Sequence, residues 1–164
     1  MIAPAERPVI LVSACLVGCR ARYDDTIIEA VDERLVRWVA AGLVLPFCPE
    51  TAGGLTVPRS PAEIAGGAGQ TVLTGNARVY TRAGRDVTTA FVDGARLALD
   101  ACRHFKLHLA VLKDGSPSCG TTRIYDGRFR GCQVAGQGVT AALLATHGVA
   151  VYSEDSLATL KVPV

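Results

Sequence analysis

The chain has 164 residues and a mass of 17.1 kDa, enough for one hydrophobic core and too little for two of useful size. Hydrophobic residues make up 49% and charged residues 20%, a balance that excludes disorder over most of the length. Seventeen Lys and Arg against fifteen Asp and Glu leave a net charge of +2, too small to mark a nucleic-acid partner. No apolar run approaches the ~18 residues that a membrane span requires, and the N-terminus lacks the ordered basic, apolar and small-residue regions of a secretory leader. A cytoplasmic chain is expected. Six cysteines in such a chain read as metal, redox or catalytic thiols with some buried structural ones, not as a disulfide framework.

Residues 8–16 run through Val9, Ile10, Leu11 and Val12 almost without polar interruption, the pattern of a strand buried on both faces, and end at Ser13-Ala14-Cys15. Asp32 caps a predicted helix over 33–41, with Leu35, Val36, Trp38 and Val39 as its apolar stripe and Gly42 as its stop. A second strand, 43–47, leads into Cys48-Pro49-Glu50, so the three elements form a βαβ unit. From 51 to 70 the composition turns to Gly, Pro and small residues, which predicts a long functional loop. Residues 72–81 alternate like a strand, Ala83-Gly84 makes a turn, and Asp86 or Thr88 caps the clearest helix, 89–104, in which Gly94 marks a close packing contact. Strand composition returns over 107–113 and runs into Asp114-Gly115-Ser116-Pro117-Ser118-Cys119-Gly120. A hairpin around Asp126-Gly127 within 123–129, a helix over 138–147 and a strand over 149–152 complete the chain. The alternation predicts a single α/β domain over residues 1–164, three-layered and Rossmann-like, with a mainly parallel sheet.

Open sheets of this kind place ligands at the carboxyl ends of their strands, and Cys15, Cys48 and Cys119 each follow a predicted core strand. Three thiolates on one rim suit a soft metal. Structural zinc favours four ligands with local C-x-x-C pairs, absent here, whereas an iron-sulfur cluster on three cysteines keeps one iron open to substrate. Other residues have plainer readings. Cys102 falls on the apolar face of the long helix and reads as core, and Cys132 as a free loop thiol. His104 and His108 read as a cationic helix end rather than a metal pair, and Glu50 and Glu63 are open to service in surface turns or, for Glu50, a pair with Arg59. The glycines at 66, 67 and 69 lack the strand and the Lys-Ser/Thr of a phosphate loop.

Val12-Ser13-Ala14-Cys15-Leu16, Cys48-Pro49-Glu50 with Gly53-Gly54-Leu55, Pro58-Arg59-Ser60-Pro61-Ala62-Glu63, Gly84-Arg85-Asp86-Val87-Thr88, Leu112-Lys113 through Ser116-Pro117-Ser118-Cys119-Gly120, Tyr125-Asp126-Gly127 with Phe129, and Gly138-Val139-Thr140-Ala141-Ala142-Leu143-Leu144 follow one another in order. Together they resemble the bacterial domain-of-unknown-function family that includes the thiouracil desulfurases. The resemblance implies a 4Fe-4S cluster on Cys15, Cys48 and Cys119 and non-redox removal of sulfur from a thiolated pyrimidine, giving the carbonyl product and sulfide. It points to Glu50 as general acid or base, and we prefer Ser116 over Ser118 as the serine that assists. One departure stands out: Arg22-Tyr23-Asp24-Asp25 replaces the family's Arg-Tyr-Asp-Gly, which puts that turn and its substrate contacts in question. Cys19 stays open between a fourth ligand in some state, a sulfur acceptor and a loop cysteine. The alternative to an enzyme is a metal or sulfur carrier that uses the same three thiols without catalysis.

Overall fold

The computed structural model describes residues 7–162. In chain order its elements are β1 (Ile10–Ser13), α1 (Glu33–Ala40), β2 (Val44–Phe47), α2 (Pro49–Ala52), β3 (Ala62–Ala65), α3 (Gly69–Leu73), β4 (Arg78–Thr81), α4 (Thr88–Phe105), β5 (Leu109–Leu112), β6 (Arg123–Tyr125), β7 (Gln133–Ala135), α5 (Val139–Thr146) and β8 (Ala150–Ser153). Short 3₁₀ turns follow β1 and β8. None of these helices is long and apolar enough to cross a membrane.

The sheet runs β2-β1-β5-β8, all parallel. Its inner strands are apolar on both faces because both are covered. Ile10, Val12 and Val111 pack with Leu35 and Trp38 of α1, while Leu11, Ala110 and Leu112 pack with α4 and α5. This is the expected three-layer α/β arrangement. Chain direction across the sheet reverses at β1, whose partners are β2 on one side and β5 on the other, and such a switch point opens a crevice beyond the strand ends. Pro46 is tolerated because β2 is an edge strand.

Asp32 caps α1 as expected, its side chain accepting from the Arg34 amide at 2.8 Å. The predicted stripe is narrower than proposed: Leu35 and Trp38 are buried, whereas Val36 and Val39 are 52% and 45% exposed. A helix of eight residues over a twisted sheet presents only one residue per turn to the core.

The segment predicted as a long loop over 51–70 begins in the last turn of α2, holds β3 and ends at the start of α3, and the predicted strand over 72–81 is helical at its start. Here Gly and Pro flank elements of four or five residues, too short to show a period. β3 pairs antiparallel with β4, and with α3 they enclose a separate core of Ile64, Val72, Val79, Phe91 and Val139 against the starts of α4 and α5.

Gly94 does mark a close contact. A Cβ there would run into the Pro49 carbonyl, and one at Gly53 into the Ala90 carbonyl, so α2 lies backbone to backbone on α4. Gly94→Ala is therefore expected to destabilise the protein by about 2 kcal/mol, since the new methyl meets Pro49 backbone and not a flexible side chain. A thermal melt of the variant beside wild type checks this.

Candidate active site

Each of the three cysteines reaches the crevice by a different local device. Cys15 sits in the 3₁₀ turn that ends β1, and Cys48 occupies the N-cap position of α2, where Pro49 at the first helical position ends β2 and starts the helix together. Cys119 lies in the loop after β5. That loop has no regular structure of its own, yet its carbonyls are held: the amides of Val139 and Thr140 in the first turn of α5 donate to Pro117 and Ser118, and the Gly138 amide donates to Gly120. The unpaired amides of a helix start thus fix the loop backbone. A Cβ on Gly138 would press on the Ser118 backbone, which explains the glycine.

The loop's other anchor is Asp114, fully buried and not singled out in the sequence. Its Oδ1 accepts from the amides of Gly115, Thr121, Thr122 and Arg123 at 2.9–3.2 Å, and its Oδ2 from the Thr122 hydroxyl and Arg123 Nη1. Burial raises this carboxyl, but the bonds from Thr122, Arg123 and Thr121 outweigh it and hold it at about 2, against an ordinary 3.8. A depressed carboxyl stabilises the fold above its unfolded pKa and loses that contribution as pH falls through the folded value. Asp114→Asn is expected to cost about 3 kcal/mol at pH 7, and the gap to wild type to narrow by about 2 kcal/mol as the pH is taken towards 2. Urea titrations of both proteins across that range check the sign and the window.

Cys15, Cys48 and Cys119 all line one cavity of about 660 Å³, together with Glu50, Arg59, Ser116 and Ser118. Its walls are cross-tied. Glu50 Oε1 accepts from Arg59 Nε at 3.2 Å and Oε2 from the Ser118 hydroxyl at 2.9 Å. Arg59 also donates through Nη2 to the Ala21 carbonyl at 2.8 Å, on which the Cys48 thiol rests at 3.8 Å. Ser118 Oγ stands 3.6 Å from Cys119 Sγ and 2.9 Å from Ser116 Oγ. Ser13 Oγ accepts from the Lys113 amide at 2.9 Å, joining the ends of β1 and β5 beneath the site.

Of the two serines, Ser118 is the one on Glu50. Ser116 Oγ accepts from the amides of Ser118 and Cys119 at 3.1 and 3.2 Å. With the Ser118 proton directed at Glu50, the Ser116 hydroxyl is free to donate to Ser118. Glu50 pairs with Arg59, the plain reading, and still offers its second oxygen to the cavity. Glu63 accepts from the amides of Gly127 and Phe129 and so serves a loop. Cys102 is buried in the core as expected, and Cys132 is exposed. Cys19 is exposed and does not line the cavity. Asp25 adopts φ +57°, a region that glycine favours and Asp tolerates, and Arg22 and Tyr23 of the same turn line the cavity. Of the cavity's anchors, only Arg59 was visible beforehand, as a plausible pair; Asp114 and Ser13 carried no more signal than a turn and a strand end.

Burial pushes the Cys15 thiol up to about 11, with Cys48 adding to it and Lys113 and Arg22 opposing. Burial takes Cys119 to about 12 against hydrogen bonds with Ser13 and Ser118. Metal ligation requires the thiolates and would release these protons. Among the described residues no three His, Cys, Asp or Glu side chains are placed to hold one metal ion. A cube-shaped cluster makes a different demand, one thiolate on each of several irons, and three free thiols around a single cavity suit it.

A solved structure described as a 4Fe-4S-dependent thiouracil desulfidase, TudS, is similar to this chain at 47% identity and TM-score 0.84, over 94% of this chain and 95% of that one. The uncharacterized protein YbbK of Bacillus subtilis (strain 168) is 42% identical over 149 residues, 91% of this chain and 97% of its own length. The family model for 2-thiouracil desulfurase matches residues 10–156, and the chain belongs to that family.

Proposed function

We propose that the protein is a 4Fe-4S-dependent desulfurase that converts a thiolated pyrimidine such as 2-thiouracil, with water, to the carbonyl product and hydrogen sulfide. The observation that carries this reading is the meeting of Cys15, Cys48 and Cys119 with the Glu50–Ser118 pair in one cavity. The cysteines hold the cluster, which when bound supplies an iron free of protein thiolate, a Lewis acid for a thiocarbonyl sulfur.

The chain's own groups handle the protons. Glu50 takes one from the attacking water and returns one to the ring nitrogen or the departing sulfur. Ser118 relays between Glu50 and the region beside Cys119, and Ser116 sets the Ser118 hydroxyl by donating to it. Arg59 fixes the Glu50 carboxylate by its other oxygen, so the Ser118-facing oxygen keeps its direction. No electrons are exchanged overall: one C=S bond and one water become one C=O bond and H₂S.

The carrier reading asks for thiols that a protein partner can reach, and Cys119, 5% exposed, does not meet it. Six free thiols suit a reducing compartment, which supports action in the cytoplasm. The packing of the antiparallel β3–β4 pair on α4 and α5 supports a single domain. Protein purified and reconstituted without air should carry about four irons per chain and release sulfide from 2-thiouracil. A loaded protein that releases none overturns the enzymatic reading.

A further inference from the structure

Resting on that reading, we propose that Phe129 is the platform on which the substrate's planar heterocycle stacks, and that it selects a ring over an open-chain thioamide. Residues 126–132 connect β6 to β7, and three of them have left-handed backbones: Gly127 at φ +86°, Phe129 at +53° and Gly131 at +70°. Glycine takes that conformation freely, and at 127 it also lets the loop approach the Ile64 carbonyl of β3. A phenylalanine there is a steric outlier. The loop keeps a large ring at this strained position, and that ring's residue lines the cavity.

The strain is held by named groups. Glu63 of β3, buried, accepts from the amides of Gly127 at 3.0 Å and Phe129 at 3.2 Å through one oxygen. The Asp126 amide donates to the Cys132 carbonyl at 2.9 Å and closes the loop, while Asp126 accepts from the Arg128 amide and Arg130 Nε. The Arg82 guanidinium stands 5.7 Å from the Phe129 ring centroid, close enough to bias the ring's orientation. The platform therefore exists before ligand arrives, and little further ordering is needed on binding. The other cavity aromatics lack this arrangement: Phe47 packs against the core beside α4 and α5, and Tyr23 and Tyr125 have ordinary backbone conformations.

The test titrates uracil into wild type, Phe129→Leu and Phe129→Tyr by calorimetry. Sulfide release is then measured on the iron-loaded proteins with 2-thiouracil and with thiourea. Phe129→Leu is expected to weaken uracil binding about tenfold and to raise KM for 2-thiouracil by about the same factor, with kcat and the thiourea rate little changed. Phe129→Tyr, which keeps a ring, should restore both to within about threefold. Equal uracil affinity in wild type and Phe129→Leu overturns the platform, even with desulfuration intact. So does a wild type that binds no uracil. Binding that depends on Phe129 in a loaded wild type that releases no sulfide overturns the desulfurase reading and leaves the platform standing.

Discussion

Cys119→Ser is expected to abolish sulfide release, by about a hundredfold or more, and to lower bound iron in the same samples. Loss of an outer partner to a metal ligand already costs about 10–100-fold in affinity, and here the ligand itself is removed from a site with three. The serine fits the space and keeps a hydrogen-bonding atom beside Ser118, so the fold should survive. Cys102→Ala is the matched control. That thiol is buried in the core away from the cavity, and its removal should leave iron and turnover unchanged while costing about 1 kcal/mol of stability. A Cys119→Ser protein with full iron and wild-type turnover would remove this residue from the site.

Glu50→Gln should separate binding from chemistry. The amide preserves shape and keeps an oxygen for Arg59 or Ser118, but it takes up no proton at neutral pH. Turnover is expected to fall about 10²–10⁴-fold with iron per chain unchanged. Since Arg59 and Glu50 are both largely enclosed, the variant also leaves a cation without its partner, so stability must be followed alongside. Turnover within about threefold of wild type, in protein of normal iron content, would exclude Glu50 as the proton-transfer group.

The parts of the fold that were legible in the sequence are those where a periodic pattern lasts. The apolar run through Ile10–Ser13 and the long three-to-four spacing of Thr88–Phe105 announced β1 and α4. Between residues 51 and 81 the elements have four or five residues each, and their identity depends on partners: Ala62–Ala65 is a strand because it pairs with Arg78–Thr81. The hairpin around Asp126-Gly127 proved wider, with those residues opening a longer connection, because the loop docks on Glu63 rather than turning tightly.

The candidate site was legible for a different reason. Cysteines following strands needed only the parallel topology to bring them together, which is a property of chain order. The groups that support them needed contacts across 40 to 100 residues. Lys113 reaches Ser13, Asp114 meets Glu154, and Ser118 meets Glu50, and nothing local foretells such pairs.

The glycine seam between α2 and α4, and the grip of α5 on the Pro117–Ser118 carbonyls, have a joint consequence. Cys48 and Glu50 are registered to one helix, Ser118 and Cys119 to its neighbour, and these two helices pack on each other over the same face of the sheet. The helical layer works as a jig that spaces the two halves of the centre. Slippage along it would part the halves while β1 and β5 stay paired, so on heating the brown colour of a loaded protein should bleach before the sheet's far-ultraviolet signal gives way.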